Sequence, residues 1–333
     1  MNIVKILIAL LLLITIIYWL GPRVTFPKAK VLDKPLSFDI TKVEQLINTQ
    51  ESKVPNLKPN NQARIVWAND SLKQQTEYCL VYLHGFSASQ EEGSPVHTDF
   101  AKRYGMNLYL TRLEDHGRLD TNSFINLTPD NYLQSAEDAI RLAKTLGKKV
   151  IVMSCSTGST LAAIIAAAGE DITALIMYSP NIDIFDRTSD LLLYPWGKQI
   201  SEIVLSGQHH RISYDSIGQV YWNSIYHTNG IFAMKTLIAD YMNEETFAKI
   251  TIPTFVGYYY KDEDHQDNVV SVPRILEFYE ELGTKEPFKK LVAFPEAGHH
   301  VVCSHVISKD IQNISKQTYK WAEEVLNLLP ISK

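Results

Sequence analysis

Little in this 333-residue chain points to chemistry by abundance. It has three cysteines, Cys79, Cys155 and Cys303, and three do not make a disulfide framework. Lys and Arg number 32 against 37 Asp and Glu, so there is no electrostatic footprint for nucleic acid. There is no internal repeat, low-complexity tract or long charge run, which excludes solenoids and arrays. His209-His210 lacks further ligands at metal-site spacing, so no zinc site and no metal is expected. What remains is an ordinary globular composition, 45% hydrophobic and 21% charged. Its length suits one α/β domain carrying an insertion, or two domains.

One long apolar run is present, at the N-terminus. Ile3 to Leu20 is broken only by Lys5 and Thr15. Tyr18 and Trp19 stand where an interfacial aromatic belt would lie, and Gly21-Pro22 ends the helix. No A-x-A-like cleavage site follows. The run is expected to be an N-terminal transmembrane helix, an uncleaved membrane anchor over residues 1–21. A cleaved signal peptide is the alternative. Arg23, Lys28 and Lys30 after the helix outnumber Lys5 before it, which favours a cytoplasmic domain. Short N-tails before a long domain commonly act as signal anchors, and the expectation taken is an extracytoplasmic, periplasmic-side domain. Residues 22–61 carry scattered Pro and Lys and read as a stalk with one helical piece, Ile40 to Asn48.

From residue 62 onward, strand patterns alternate with helix patterns. Ala63 to Ala68 reads as an edge strand, Tyr78 to Leu83 as a buried strand, and Met106 to Thr111 as the next. Asn131 to Leu146 is an amphipathic helix, with Tyr132, Ala136, Ala139, Ile140 and Ala143 on one face. Lys149 to Met153 and Thr173 to Tyr178 are strands around an Ala-rich helix, Thr157 to Ala168. The alternation predicts a mostly parallel central sheet with helices on both faces. It fails between about 182 and 250, where aromatic-rich helical or irregular segments predict an insertion. It resumes at Ile252 and ends in an amphipathic helix, Asp310 to Leu329.

The strand Val150-Ile-Val-Met ends in Ser-Cys-Ser-Thr-Gly-Ser-Thr and opens the Ala-rich helix. A small-x-Ser-x-Gly junction between strand and helix forms a sharp turn that raises its central residue. The residues two before and two after must be slim. Here they are Ser154 and Gly158, and the raised residue is Ser156. A serine stands where the usual first glycine would be. Cys155 is a weaker candidate nucleophile, because the small neighbours are spaced around Ser156. Upstream, Tyr78-Cys-Leu-Val-Tyr-Leu breaks at His84-Gly85. Downstream, a strand from Ile252 runs into the acidic loop Lys-Asp-Glu-Asp-His-Gln-Asp, and a strand from Lys290 ends in Gly298-His-His.

With Ser, acid and His in that chain order, the sequence resembles the α/β-hydrolase superfamily, in its serine esterase and lysophospholipase-like branch. The resemblance runs from about Tyr78 to the C-terminus. It implies an α/β-hydrolase domain over 62–333 with a helical cap at about 182–250, and no cofactor. It implies Ser156 as nucleophile and the backbone N–H groups of Phe86 and Thr157 as the oxyanion hole. The base is His300 or His299, and His300-Val-Val fits the family pattern better. The acid is Asp267, Asp262 or Asp264, and Asp267 before Asn-Val-Val is preferred. His84 and His116 are expected to shape loops near the site. The implied function is hydrolysis of small-molecule or lipid carboxylic esters through an acyl-enzyme. An aminopeptidase-like hydrolase on the same residues is the alternative, as is an inactive membrane-tethered binding protein.

Overall fold

The computed structural model describes residues 2–32 and 38–331. The chain begins with α1 (Asn2–Trp19) and α2 (Val43–Glu51). The sheet region follows as β1 (Arg64–Val66), β2 (Thr76–Leu83), α3 (Val96–Arg103), β3 (Asn107–Leu110), α4 (Pro129–Leu146), β4 (Gly147–Cys155), α5 (Thr157–Ala167) and β5 (Ala174–Tyr178). Next come α6 (Gly197–Val204), β6 (His209–Arg211), α7 (Gly218–Tyr221), β7 (Ile225–His227), α8 (Asn229–Tyr241) and α9 (Glu244–Phe247). The last part holds β8 (Thr254–Tyr258), β9 (Tyr260–Asp262), β10 (His265–Gln266), α10 (Val272–Glu281), β11 (Lys289–Ala293) and α11 (Ile311–Val325).

Seven strands form the central sheet in the order β1-β3-β2-β4-β5-β8-β11. All neighbours are parallel except β1, which runs antiparallel at the edge. Strand side chains alternate between two cores. Cys79, Val81, Leu83, Val150 and Val152 face one core, which α4, α5 and α10 complete. Leu80, Tyr82, Ile151, Met153 and Cys155 face the other, closed by α3 and α11. The two-faced burial explains why these strands read as unbroken apolar runs.

The helix α4 starts where local chemistry dictates. Thr128 and Asn131 form a reciprocal capping box, and Pro129 occupies the first turn. Its apolar face lies on β2 and β4, which pair in parallel up to Leu83 and Ser154 and so end side by side.

Three expectations meet differences here. First, α1 forms, but its 18 residues span about 27 Å against a bilayer core of ~30 Å. Among the described residues no helix is long and apolar enough to cross a membrane. The expected transmembrane span is therefore not supported. Second, residues 22–61 do not stand off as a stalk. Ala29, Val43 and Ile47 are in the core, Leu32 N–H donates to Glu137, and Glu51 pairs with Arg112. The apolar anchors are too widely spaced to give a periodic signal. Stalk positions 33–37 lie outside the described residues. Third, the segment between β5 and β8 contains the antiparallel pair β6–β7 as well as helices. These strands have three residues each, too short to register as alternation.

Candidate functional site

Ser156 sits between β4 and α5 with φ 52° and ψ −123°. That backbone region is costly for an L residue and persists only where surroundings enforce it. Three backbone hydrogen bonds do so. Ser156 N–H donates to Tyr178 O at 3.0 Å, and Ser156 O accepts from Ser159 N–H at 2.9 Å and Asn181 N–H at 3.1 Å. Gly158 is required by close approach, since a Cβ there would lie 2.1 Å from Leu83 O. Ser154, in place of the usual glycine, is fully buried and shares a 2.9 Å hydrogen bond with Ser159 Oγ. A polar partner thus accommodates the extra atoms.

Ser156 opens onto a cavity of about 420 Å³. Phe86, Thr157 and His300 line it from the sheet side, and Tyr214, Trp222 and Met234 from the 182–250 segment. Its surface is mainly apolar. The amides of Phe86 and Thr157 have no acceptor among the described residues. Thr157 N–H is an orphan donor of the first turn of α5. Two free donors therefore flank the serine, one from each strand end.

His300 lies in the loop after β11 and is 5% exposed. Its Nδ1 is 2.6 Å from Asp267 Oδ2, and Asp267 is fully buried. Asp267 Oδ1 accepts from Val269 N–H at 2.9 Å and Val270 N–H at 3.0 Å. Burial acts to raise the Asp267 pKa, but the His300 ring and the two amides outweigh it and hold the carboxyl below its ordinary range. For His300, burial acts to lower the pKa. Asp267, with a smaller contribution from Glu92, outweighs it and raises the ring above the usual histidine value. With Nδ1 bonded to a carboxylate, Nε2 is the free nitrogen. His300 and Ser156 line the same cavity without a direct hydrogen bond between ring and hydroxyl. Such contacts are often long before substrate binds.

Of the other candidates, only His299 also lines the cavity. Asp262 Oδ1 accepts from Asp264 N–H and bonds exposed His265 at 2.7 Å. Asp264 is exposed in the same turn. His299 is exposed, and its Nδ1 accepts from Val301 N–H. The buried thiol of Cys155 lies in the core on the other side of the sheet, and burial pushes its pKa well up. His84 accepts from Leu113 N–H at Nε2, so Nδ1 carries the proton and donates to Gly85 O at 3.0 Å. Burial lowers the pKa of its ring to about 4. His116 stacks among His84, Phe86, Phe124 and Tyr132, and burial depresses its pKa too. Both rings buttress the loop that carries Phe86. Among the described residues no cluster could hold a metal ion.

No protein-family model matches the chain, and no curated protein does. Solved structures do. The metagenome-derived lipolytic enzymes LipS and LipT are represented by a chain with 16% identity and a TM-score of 0.65, covering 80% of this chain and 99% of that one. The monoacylglycerol lipase of Paleococcus ferrophilus gives 11% and 0.56, covering 78% and 96%. A soluble variant of the monoglyceride lipase of Saccharomyces cerevisiae, solved with a substrate analogue, gives 13% and 0.56, covering 82% and 97%. The fold is that of the α/β-hydrolases.

Within this α/β-hydrolase frame, two site residues escaped the sequence reading. Ser179, just after β5, donates to His300 O at 2.6 Å and pins the histidine loop. Glu92, in a short 3₁₀ turn at Gln90–Gly93, is 2% exposed and lines the cavity. Gln90-Glu-Glu looks like solvated loop material. Only the position of Glu92 soon after His84-Gly85 could have flagged it.

Proposed function

We propose that the protein hydrolyses carboxylic esters with apolar acyl groups through a serine acyl-enzyme. Ser156 Oγ attacks the ester carbonyl while His300 Nε2 takes its proton. Asp267 orients the ring and balances the imidazolium. The N–H groups of Phe86 and Thr157 receive the oxyanion, each donor being worth ~3 kcal/mol of barrier. Collapse expels the alcohol with the proton from His300, and water then repeats the sequence on the acyl-enzyme. The observation that carries this reading is the buried 2.6 Å Asp267–His300 pair opening onto the same cavity as a strained serine. The apolar cavity and the lipolytic enzymes of like fold support the substrate class. Glu92 is the one carboxylate among the described lining residues, and with Gly85 N–H and Tyr82 OH already on it no acidic cluster is left to grip a substrate amine, which counts against an aminopeptidase. With a p-nitrophenyl ester, the wild type turns over, and Ser156→Ala loses three or more orders of magnitude in kcat. Equal, slow hydrolysis by both would leave only an inactive binding protein.

We propose also that α1 tethers this domain to a lipid bilayer on the extracytoplasmic side. Residues Ile3 to Leu20 are exposed and apolar around nearly the whole helix. At its end the helix meets Trp196, whose indole N–H donates to Tyr18 O at 3.2 Å. The adjoining α6 exposes Ile203 at 78% and Val204 at 75%, while Ser201 and Glu202 are half-buried. That inverted polarity suits an apolar surface better than water. The full chain is expected to float with phosphatidylcholine vesicles at high salt, and protease added to intact spheroplasts should cut the domain. Protein left at the bottom of the gradient would refute the tether, and cleavage only after lysis would refute the orientation.

A further inference from the structure

Glu92 is the buried carboxylate that the proposed chemistry leaves unused. Its Oε2 accepts from Gly85 N–H at 2.6 Å and from Tyr82 OH at 3.2 Å. Its Oε1 lies close to Gly85, where an added Cβ would sit 2.7 Å from that oxygen and 3.0 Å from Ser156 Cβ. The carboxylate is thus wedged between the loop carrying the Phe86 donor and the serine turn. Burying such a charge without several hydrogen-bond partners is costly, and an apolar residue could fill the space.

We propose that Glu92 is a positioning residue with two jobs, fixing the Gly85–Phe86 peptide for the oxyanion and supplying a second negative charge to His300. This rests on the serine-hydrolase reading above. In the first job, the bond to Gly85 N–H acts with the one from His84 Nδ1 to Gly85 O. Together they grip both polar groups of Gly85. The Phe86 amide one residue on is held without its own partner, as a preorganised donor needs. In the second job, Glu92 faces His300 across the cavity that both line, while Asp267 bonds the ring from behind, and both negative charges favour the protonated ring.

Groups from five elements face Glu92. Tyr82 comes from β2, Cys155 from the end of β4, Tyr132 from α4 and Tyr214 from the segment over the cavity. His300 and Cys303 come from the loop after β11. Burial pushes the three phenols and the Cys155 thiol upward, so they stay neutral near pH 7. Burial likewise raises Glu92, to about 7. Glu92 therefore gains its charge in the range where His300 must lose its proton.

Activity in kcat/KM needs neutral His300, so its acid limb sits at the pKa of that ring. A negative Glu92 raises that pKa, and removing the charge lowers it. Glu92→Gln keeps an oxygen for Gly85 N–H. Its acid limb should move to lower pH by about half a unit or more, with kcat within about fivefold of wild type. Glu92→Asp keeps the charge but shortens the reach. Its limb should stay near the wild-type position while kcat falls about tenfold with little change in KM. An unmoved or alkaline-shifted limb in Glu92→Gln overturns the electrostatic job, and full kcat in Glu92→Asp overturns the loop job. Should Glu92→Gln not fold, Tyr82→Phe removes a donor to the same carboxylate. It should shift the limb in the same direction by less, and no shift again overturns the proposal. Wild type and Ser156→Ala run alongside. An inactive wild type sinks the hydrolase reading and this proposal together, whereas an active wild type with an unmoved limb sinks this one alone.

Discussion

Two histidine–carboxylate pairs lie close together in this chain and differ in what they can do. Asp262 and His265 meet at 2.7 Å, with their side chains 53% and 65% exposed. Asp267 and His300 meet at 2.6 Å, with 0% and 6% exposed. The bond lengths are nearly equal, so bond length is not the distinction. Water and ions screen the first pair, and its partners are three residues apart in one turn. The second joins two sheet connections 33 residues apart and faces a cavity with a strained serine. A carboxylate can hold and charge an imidazole for chemistry only where solvent does not compete for either group.

Breaking one member of each pair tests that lesson. Asp267→Asn should lower kcat toward a common ester by about 10³–10⁴, because the ring loses its anionic partner and its fixed tautomer. Asp262→Asn and His265→Ala should each change kcat by less than about twofold. A collapse in Asp262→Asn with a mild Asp267→Asn would invert the comparison and reassign the acid.

The same contrast explains what was legible in the sequence. Ser156 could be read because steric demand fixes residue types around it, and Gly158 remains where no Cβ fits. His300 and Asp267 could be favoured because apolar strands and short aliphatic flanks bracket them. Asp262 competed because burial is not written in a run of four acidic residues. The layered sheet was legible because strands buried on both faces stay apolar throughout. Residues 22–61 were not, since Ala29, Val43 and Ile47 reach the core one at a time between polar neighbours. The strands β6 and β7 were missed because three residues cannot show a period. Glu92 was missed because its partners, Gly85 N–H and Tyr82 OH, come from the strand and turn before it and leave no motif.

The His84 and His116 rings beneath the Gly85–Phe86 loop also act on the stability of the whole fold. His84 remains unprotonated in the native protein down to about pH 4, and His116 resists protonation as well. Free imidazoles in an unfolded chain take up protons from about pH 6.5 downward. The two native rings, with buried His97 also lowered to about 4, therefore pull the equilibrium toward the unfolded chain as pH drops below about 6.5. His300 and Glu92, the latter raised to about 7, take up protons first in the folded state and pull the other way. In Glu92→Gln, where that opposing carboxyl is gone, a denaturant midpoint that stays level between pH 7 and 5 would contradict the pull of the rings. Otherwise the two rings that stiffen the loop also set an acid limit on the molecule that carries it.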